Sequence, residues 1–390
     1  FFFVPWPVAG AADAAVRGMS ALRTPRIIGT AMTALGRHHT SSVELMSQAL
    51  RSALSNCGLS MDDLEGLVAV PSLSHPHFME AHNLATYTKL LPRKGVLVRT
   101  VDTGGASPIS ALISASQFIR TGYVDVVAVV AGDAVASMPL DTFLQRADVS
   151  CQSPDDPLPS PVIPNGYDRV ARWAIAQGHV TREQLAMCSV LMSANAARHP
   201  LAMTRRAYSL DEVLQAPHVA PVTTTLECAR RADGAAAIVL ASSTFLQQRD
   251  WRGPSAVVLG GGEGSGPLYP PADIHDAMFS CEEAARVAYE SAQLGPRDVD
   301  FFGLYDCFPI CLTRALEAVG LAPKGRGGAF VEQWYRDHLA GAAGPGRYPI
   351  NTHGGLLAFG APWEVPAMYN IVEAVAQLTG AAGGRQVAGC

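Results

Sequence analysis

Short apolar runs alternate with longer amphipathic segments over the first part of the chain. The apolar runs lie at 27–29, 67–70, 96–101, 124–132 and 233–240. Between them, apolar residues recur every three or four positions, which is the spacing of one helix face. The run at 124–132 is almost continuously apolar, as is typical of a strand in a sheet covered on both faces. This alternation predicts a layered α/β fold.

Two helix starts can be read from the residues that precede the apolar periodicity. Ser41 and Glu44 have capping-box spacing, and Gly58 marks the end of that helix. Ser107 can cap a second helix whose first turn accommodates Pro108. Both helices are predicted to connect neighbouring strands.

The alternation stops between about 137 and 221. A Pro-rich stretch at 153–164 predicts a loop, and helical patterns follow at 167–177 and 182–197. Ser209 then caps another short helix. These features predict a helical insertion between strands of a larger α/β body.

The second part of the chain repeats features of the first. Ala288 and Ala292 follow a helix start with the spacing that Ala49 and Ala53 have in the first helix. The repetition favours two halves derived from one unit. The Gly-rich segment at 260–266 is predicted to be a flexible turn, because prolines replace the helix that a dinucleotide-binding loop requires.

Composition narrows the function classes. Of the 390 residues, 48% are hydrophobic and 16% charged, with a net charge of −5, so nucleic acid is an unsuitable partner. No apolar run approaches the roughly 20 residues of a membrane-spanning helix. The eight cysteines include no CxxC pair, which favours free thiols in a reducing compartment and no metal site.

A series of motifs in the second half resembles the thiolase superfamily, and most closely its sterol-carrier-protein-type members. The string Gly303–Phe308 resembles their His-Asp-Cys-Phe loop, in a Tyr-Asp-Cys-Phe variant similar to trypanosomatid thiolase-like proteins. The other corresponding segments, in order, are 317–321, 325–329, 350–357, 359–362, 377–380 and 384–387, with 208–213 and 233–237 before them.

The resemblance implies the five-layered α-β-α-β-α thiolase fold, built from two duplicated βαβαβαββ halves with an inserted helical loop domain. The first half is expected at 26–136 and 222–252, the loop domain at 137–221, and the second half at 253–390. The family's final hairpin is expected to be missing from 253–390. The resemblance also implies a homodimer joined through the first half.

Three departures from the family pattern affect the reacting centre. Gly105 stands at the position of the nucleophilic cysteine, so no acyl-enzyme can form there. Tyr305 replaces a histidine that helps to bind the thioester oxygen, and Ala361 replaces the histidine that activates the cysteine. We expect Tyr305, together with Asn351 and His353 from a Gly-rich turn, to be the catalytic residues. Cys307 is expected to be a packing thiol rather than a substitute nucleophile.

The resemblance further implies a pocket for a coenzyme A thioester, with no covalently bound cofactor and no metal. The expected substrate-binding residues share the two loops of the reacting centre and the loop after the Gly-rich turn. They are Gly105, Ser107, Asp306, Cys307, Phe308, Gly360 and Ala361.

These features predict a thiolase-like protein of lipid metabolism that binds acyl-CoA or β-ketoacyl-CoA without ordinary thiolase turnover. Whether it is an enzyme stays open. One alternative is a retro-aldol carbon–carbon lyase, whose relatives work with a zinc-ribbon accessory protein; another is a non-enzymatic carrier or sensor of CoA esters. Residues 1–25 carry spaced arginines and a single acid, so they are either an N-terminal extension or a presequence remnant. The second interpretation predicts a mitochondrial location. A peroxisome-like organelle and the cytoplasm are the alternative locations.

Overall fold

The computed structural model describes residues 23–269 and 271–390. Its regular strands form one six-stranded sheet in the order β3-β2-β4-β5-β1-β6. β2 is parallel to β3 and β4, whereas β5 is antiparallel to β4 and β1, and β6 is antiparallel to β1. The strands are β1 Pro25–Met32, β2 Gly66–Ala69, β3 Leu97–Thr100, β4 Val126–Ala134, β5 Asp233–Ser242 and β6 Ala256–Val257.

The α-helices flank this sheet and make up most of the second half. In the first half and the insertion they are α1 Ser42–Asn56, α2 Glu80–Tyr87, α3 Ser107–Arg120, α4 Leu140–Cys151, α5 Val162–Ala176, α6 Arg182–Ala196, α7 Leu210–Leu214 and α8 Ser243–Gln248. The second half contains α9 Cys281–Ala292, α10 Pro309–Ala318, α11 Gly327–Leu339, α12 Gly355–Phe359 and α13 Pro366–Leu378. None of these described helices is long and apolar enough to cross a membrane.

Both faces of the sheet are buried, as the apolar run at 124–132 predicts. Val126 and Val130 of β4 belong to a core cluster that contains residues of α1 and α2. Val127 and Val129 belong to a larger cluster that contains residues of α3 and α13. Because successive strand residues point to opposite faces of the sheet, β4 contributes side chains to both hydrophobic clusters. This arrangement places the start of α3 between the sheet and the second half.

The helix starts follow the sequence pattern with one correction. The Ser41 hydroxyl accepts a hydrogen bond from the Glu44 amide, as its capping position predicts. Ser107, in contrast, does not cap α3: it is the first helical residue, and Ala106 occupies the capping position. The Ser107 hydroxyl is engaged instead by a residue from the second half.

The second half has fewer regular strands than a complete βαβαβαββ unit. Within the described part of 253–390, strand pairing consists of β6 and two isolated bridges, Phe302 with Ile350 and Ala361 with Arg231 of the first half. The segment 260–266 is not a free turn, because its alternate glycines lie against α9. A Cβ added to Gly262 would be 2.3 Å from the Ala284 carbonyl oxygen. Backbone packing against a helix therefore explains the glycine richness.

Candidate active site

The loop before α3 holds the position where the family pattern has its nucleophile. Gly105 lies in this loop, two residues before Ser107. The buried Ser107 hydroxyl accepts a hydrogen bond from the Thr103 amide at 2.8 Å and donates one to the Glu364 carboxylate at 2.9 Å. A loop of the second half is thereby fixed to the first turn of α3.

Tyr305 occupies the space that a side chain at position 105 would need. A Cβ added to Gly105 would lie 2.2 Å from the Tyr305 hydroxyl oxygen and 2.6 Å from Cζ of the ring. Contacts this short require a group to move, so glycine at 105 and tyrosine at 305 are complementary. The phenol fills the volume of a side chain at position 105, where the resemblance predicts the family's nucleophile. Gly105 and Tyr305 are separate departures from the family pattern in the sequence, but they form one contact in the structure.

The ionisation of Tyr305 is suppressed by its surroundings. Burial raises the pKa of Tyr305 well above its usual value, and the charges of Cys307, Cys311 and Glu364 raise it further. The phenol consequently keeps its proton near neutral pH. It is suited to donate a hydrogen bond to a thioester or enolate oxygen rather than to act as a base.

Asp306, the residue after Tyr305, is completely buried and is hydrogen-bonded to the first turn of α12. One carboxyl oxygen accepts a hydrogen bond from the Leu356 amide at 2.7 Å. The other contacts Gly355, where an added Cβ would be 2.0 Å from it, and it has no hydrogen-bond partner among the described residues. Burial raises the pKa of Asp306 to about 7. Because Asp306 is bonded to α12 and adjoins Tyr305 in the chain, it is suited to hold the loop that carries Tyr305.

Asn351 lies in the Gly-rich turn, where its amide is fully engaged with the chain just before Tyr305. Its side-chain oxygen accepts from the Leu304 amide at 2.7 Å, and its nitrogen donates to the Leu304 carbonyl at 2.9 Å. Asn351 is completely buried and has a φ of 44°, a left-handed conformation that asparagine tolerates. This geometry suits positioning of Tyr305, and a direct catalytic role stays a prediction.

His353 is buried in the apolar interior near the same turn. Its ring packs against Phe359 at 5.1 Å between centroids, and Nδ1 has no hydrogen-bond partner in the described part of the chain. Burial lowers the pKa of His353 to about 4, so the imidazole is neutral at pH 7. The structure brings it near the Asn351 turn but shows no contact with Gly105 or Tyr305.

The remaining predicted binding residues form the walls around these groups. Phe308 stacks on Tyr167 of the insertion at 4.6 Å between centroids, and the Cys307 sulfur is 3.6 Å from that of Cys311. Gly360 is buried with a φ of 131°. The Ala361 amide donates to the Arg230 carbonyl at 2.8 Å, which anchors the loop between α12 and α13.

The sequence analysis missed Glu364, which lies three residues after Ala361. Its carboxylate accepts the Ser107 hydrogen bond, and no described lysine or arginine pairs with it. Burial, together with the charges of Asp102 and Asp133, raises the pKa of Glu364 to about 7. The Ser107 hydrogen bond lowers this pKa but does not offset burial. The sequence did offer one signal for Glu364: it is a carboxylate three residues after Ala361, where the resemblance predicts the family's histidine.

The site therefore combines a protonated phenol with a carboxyl group that titrates near neutrality. Such a pair can donate a hydrogen bond to an oxygen and exchange a proton with a substrate. It cannot form an acyl-enzyme at position 105. Across residues 23–269 and 271–390, no group of three His, Cys, Asp or Glu side chains is placed to hold a metal ion.

Comparisons with known proteins agree with this reading of the fold. Residues 272–390 match the family "Thiolase C-terminal domain-like". An acetyl-CoA acetyltransferase of Methanothermobacter thermautotrophicus is 29% identical over 379 residues, covering 94% of each chain. Sterol carrier protein 2 of Bos taurus is 29% identical over 309 residues, covering 76% of this chain and 55% of the relative. This chain thus spans about half the length of that relative.

A solved structure described as an Ltp2-ChsH2(DUF35) aldolase has a TM-score of 0.75, with 23% identity, and covers 93% of this chain and 92% of that one. The solved human mitochondrial 3-ketoacyl-CoA thiolase in complex with CoA has a TM-score of 0.65, with 15% identity and 91% coverage of each chain, and this likeness confirms the predicted thiolase fold. The family match covers the second half, and the curated relatives extend the similarity over the rest of the chain. Residues 272–390 thus match a thiolase family, and together with the curated relatives this match supports the predicted resemblance to thiolase-like proteins of the sterol-carrier-protein type.

Proposed function

We propose that this protein binds acyl-CoA or β-ketoacyl-CoA thioesters in lipid metabolism and handles them without an acyl-enzyme intermediate. The observation that carries the proposal is the contact between Gly105 and Tyr305. The phenol occupies the nucleophile's volume, with its hydroxyl oxygen 2.2 Å from an added Cβ. A thioester bound there meets a hydrogen-bond donor where a thiolase presents a thiol.

Other cysteines are poor substitutes for the missing nucleophile. Thiolate is the reactive form of cysteine, and burial in apolar surroundings suppresses it. Burial raises the pKa of Cys57 to about 11 and those of Cys228 and Cys281 to about 12. Cys307, the cysteine of the motif itself, lies against Cys311 rather than against Gly105. These positions favour binding or proton transfer over thiolysis.

Two measurements on the intact protein test the proposal. Acetoacetyl-CoA should raise the melting temperature, since binding stabilises the native state by about 2.7 kcal/mol at a hundredfold excess over Kd. Intact-mass spectra after incubation with acetyl-CoA should show the unmodified mass. Absence of a thermal shift at millimolar acetoacetyl-CoA would contradict thioester binding. A stable acetyl adduct on any cysteine would contradict the absence of an acyl-enzyme.

A retro-aldol carbon–carbon lyase is the second candidate, and the Tyr305–Glu364 pair favours it over a passive carrier. Cleavage of this type needs proton transfer and stabilisation of an enolate, but no thiol. The similar Ltp2 aldolase is named together with a DUF35 protein. Co-purification of a zinc-ribbon protein with this chain would support the lyase. A carrier or sensor, in contrast, should keep CoA affinity and cellular function in Tyr305→Phe.

Dimerisation and location complete the proposal. β3 is an edge strand that pairs only with β2 among the described strands, so it can pair with β3 of a second copy. A homodimer joined through the first half uses this edge. The mitochondrial location stays a prediction, because residues 1–22 lie outside the described part of the chain.

A further inference from the structure

We propose that Glu364 is the acid–base group of this site and that it removes and returns a proton at the carbon next to the thioester carbonyl. This inference rests on the proposed binding of CoA thioesters and names a reaction for the bound group. It extends the site to a residue in the loop that has lost the family's activating histidine. Tyr305 then has a separate role as the hydrogen-bond donor to the carbonyl oxygen.

The position of Glu364 carries the proposal. The residue lies between Ala361 and the start of α13, and its carboxylate reaches across to Ser107 at 2.9 Å. Ser107 is two residues from Gly105, whose missing side chain is replaced by the Tyr305 phenol. The carboxylate is therefore held beside the space that contains the family's reacting atoms. It is half-buried, so solvent can still exchange its proton.

Ser107 holds this carboxylate in one orientation. The Thr103 amide donates to the Ser107 oxygen, which leaves the hydroxyl proton free to point at Glu364. A buried hydroxyl that accepts one hydrogen bond and donates another has little rotational freedom. The Trp363 side chain donates a second hydrogen bond to the carboxylate, and the lone pairs that remain are available to a substrate. No described lysine or arginine forms an ion pair with the Glu364 carboxylate, so hydrogen bonds alone hold it.

The groups that face Glu364 set the pH at which it works. Asp102 lies in the loop before α3, and Asp133 is the penultimate residue of β4. Cys151 ends α4, and Tyr305 precedes α10. Cys151 and Tyr305 are neutral near pH 7, whereas the charges of Asp102 and Asp133 favour the protonated carboxyl of Glu364. Hydrogen bonds from Ser107 and the Trp363 side chain favour the carboxylate. Burial dominates and raises the pKa of Glu364 to about 7. A carboxylate with this basicity is suited to general-base catalysis near neutral pH.

The proposed step is an enolisation and conserves all atoms and electrons. The Glu364 carboxylate takes the proton from the carbon next to the carbonyl as that C–H bond breaks. The electron pair moves into the carbonyl group, and the Tyr305 hydroxyl donates a hydrogen bond to the developing oxyanion. In the reverse direction, the Glu364 carboxyl returns a proton to the carbon and becomes a carboxylate again. This half-reaction is shared by aldol and Claisen chemistry.

Exchange of the methyl protons of acetyl-CoA in D2O, followed by proton NMR, tests the proposal on the full-length protein. The rate should rise with pH and level off above about 7. Glu364→Gln should lower the rate by about 100-fold or more and abolish the inflection, since general-base catalysis contributes about 10²–10⁴. Glu364→Asp should keep the inflection at a reduced rate.

Two further variants separate proton transfer from structural support. Ser107→Ala removes a hydrogen bond that lowers the pKa of Glu364, so its inflection should move to higher pH. Glu263→Gln is the matched control, because Glu263 also accepts a hydrogen bond from a serine of α3, Ser110. Its pH profile should match that of the unaltered protein. Asp306→Asn should keep the inflection, although Asp306 also has a pKa of about 7.

The outcomes distinguish this inference from the proposed function. If Glu364→Gln binds acetyl-CoA and exchanges protons with an unchanged pH profile, the role of Glu364 is overturned. Loss of the inflection in Glu263→Gln or Asp306→Asn, but not in Glu364→Gln, would overturn it as well. If the unaltered protein gives no thermal shift with acetyl-CoA, the proposed function fails first. Binding without any exchange in the unaltered protein leaves thioester binding intact and overturns enolisation.

Discussion

The two halves of the molecule repeat one contact between an extended segment and a helix. In the first half, a Cβ added to Gly29 of β1 would be 2.5 Å from the Ala53 carbonyl oxygen of α1. In the second half, a Cβ added to Gly260 would be 2.7 Å from the Ala292 nitrogen of α9. Glycine is needed wherever two backbones approach this closely. The repeated contact supports the duplication predicted from the alanine spacing.

The halves differ in how many of their buried polar atoms lack a hydrogen-bond partner. The first half buries the Asp133 carboxylate, which accepts hydrogen bonds from Ser72 and from the Leu73 and Ser74 amides. Buried polar atoms that have no hydrogen-bond partner among the described residues are more numerous in the second half (Asp306, Arg314, His353, Tyr369 and Asn370) than in the first half (Ser42 and Glu80). Unsatisfied buried groups cost stability and are concentrated at functional sites. The comparison indicates that the first half is the scaffold and that the second half supplies most of the reactive groups.

The largest expected effect is a loss of stability on acidification that depends on His353. Burial lowers the pKa of His353 to about 4, below that of an exposed histidine near 6.5. The unfolded chain therefore binds this proton more readily than the native protein does. The contribution of His353 is fully present above about pH 6.5 and is lost as the pH falls towards 4. Its size is on the order of 3 kcal/mol.

Urea unfolding of the unaltered protein and of His353→Gln, at several values between pH 7.5 and 4, measures this contribution. The difference in unfolding free energy between the two proteins should shrink as the pH falls. His199 provides an internal comparison, because burial lowers its pKa to about 3 and it titrates in both proteins. A difference that does not vary with pH would show that His353 is not a buried neutral group.

The next effect concerns the contact between the halves at Gly105. Gly105→Cys should destabilise the protein by about 1–3 kcal/mol, the usual cost of overpacking, and should not restore thiolysis. The physical reason is the 2.2 Å approach of the added Cβ to the Tyr305 hydroxyl. The resemblance also predicts that the activating histidine is replaced by Ala361. Thermal unfolding and a thiolysis assay with acetoacetyl-CoA measure the two results.

Gly105→Ala is the matched control, since it adds the same Cβ without a thiol and should lose stability too. The double change Gly105→Cys with Tyr305→Ala should be more stable than the two single effects added together. Additive effects would mean that the two side chains do not compete for one volume. Robust thiolase activity from Gly105→Cys alone would contradict the proposed division of roles.

Most of the fold could be predicted because it depends on local patterns. The strands at 67–70 and 124–132 and the helix that follows Ser41 are specified by burial periodicity and capping within a few residues. The short strand content of 253–390 could not be predicted in this way, because strand pairing depends on distant neighbours. The 260–266 segment illustrates this: its glycines indicate a turn locally, and only the position of α9 explains them.

The candidate site was harder to predict, because its geometry joins residues far apart in the chain. The family motif located Tyr305 and Gly105, but their complementarity requires the folded contact. Asn351 was predicted to be catalytic because it lies beside His353 in the Gly-rich turn. Its side-chain amide is hydrogen-bonded to the Leu304 backbone instead. Glu364 was missed because its link to Ser107 spans 257 positions. Residue types indicated the chemistry of the site. Only the tertiary structure showed that Tyr305 lies against Gly105 and Glu364 against Ser107.

A smaller effect tests the close packing of the second half. Gly262→Ala would place a methyl group 2.3 Å from the Ala284 carbonyl oxygen and 2.5 Å from the Ala288 nitrogen, so the segment must move away from α9. We expect a net loss of about 1 kcal/mol, because the reduced freedom of the unfolded chain offsets part of the clash. Gly346→Ala, which meets no atom within 4 Å, is the control and should not be destabilised. Equal melting temperatures for both variants would contradict the contact with α9.

The smallest effect on folding, but a large one on assembly, is expected at the edge of the first half's sheet. The Leu97 and Val101 amides donate to Glu65 and Ala69, so the Val98 amide points away from β2. Proline is tolerated at such a position of an edge strand. Val98→Pro should therefore dissociate the proposed homodimer, as measured by light scattering over a range of concentrations, with little change in melting temperature.

Arg99→Pro is the contrasting variant, because the Arg99 amide faces β2 and its loss should lower the melting temperature instead. If Val98→Pro remains dimeric, the free edge of β3 is not the dimer contact. If the unaltered protein is monomeric at every concentration, the homodimer itself is contradicted. In that case the first half's sheet would still be the scaffold, because its cores on both faces are closed within a single chain.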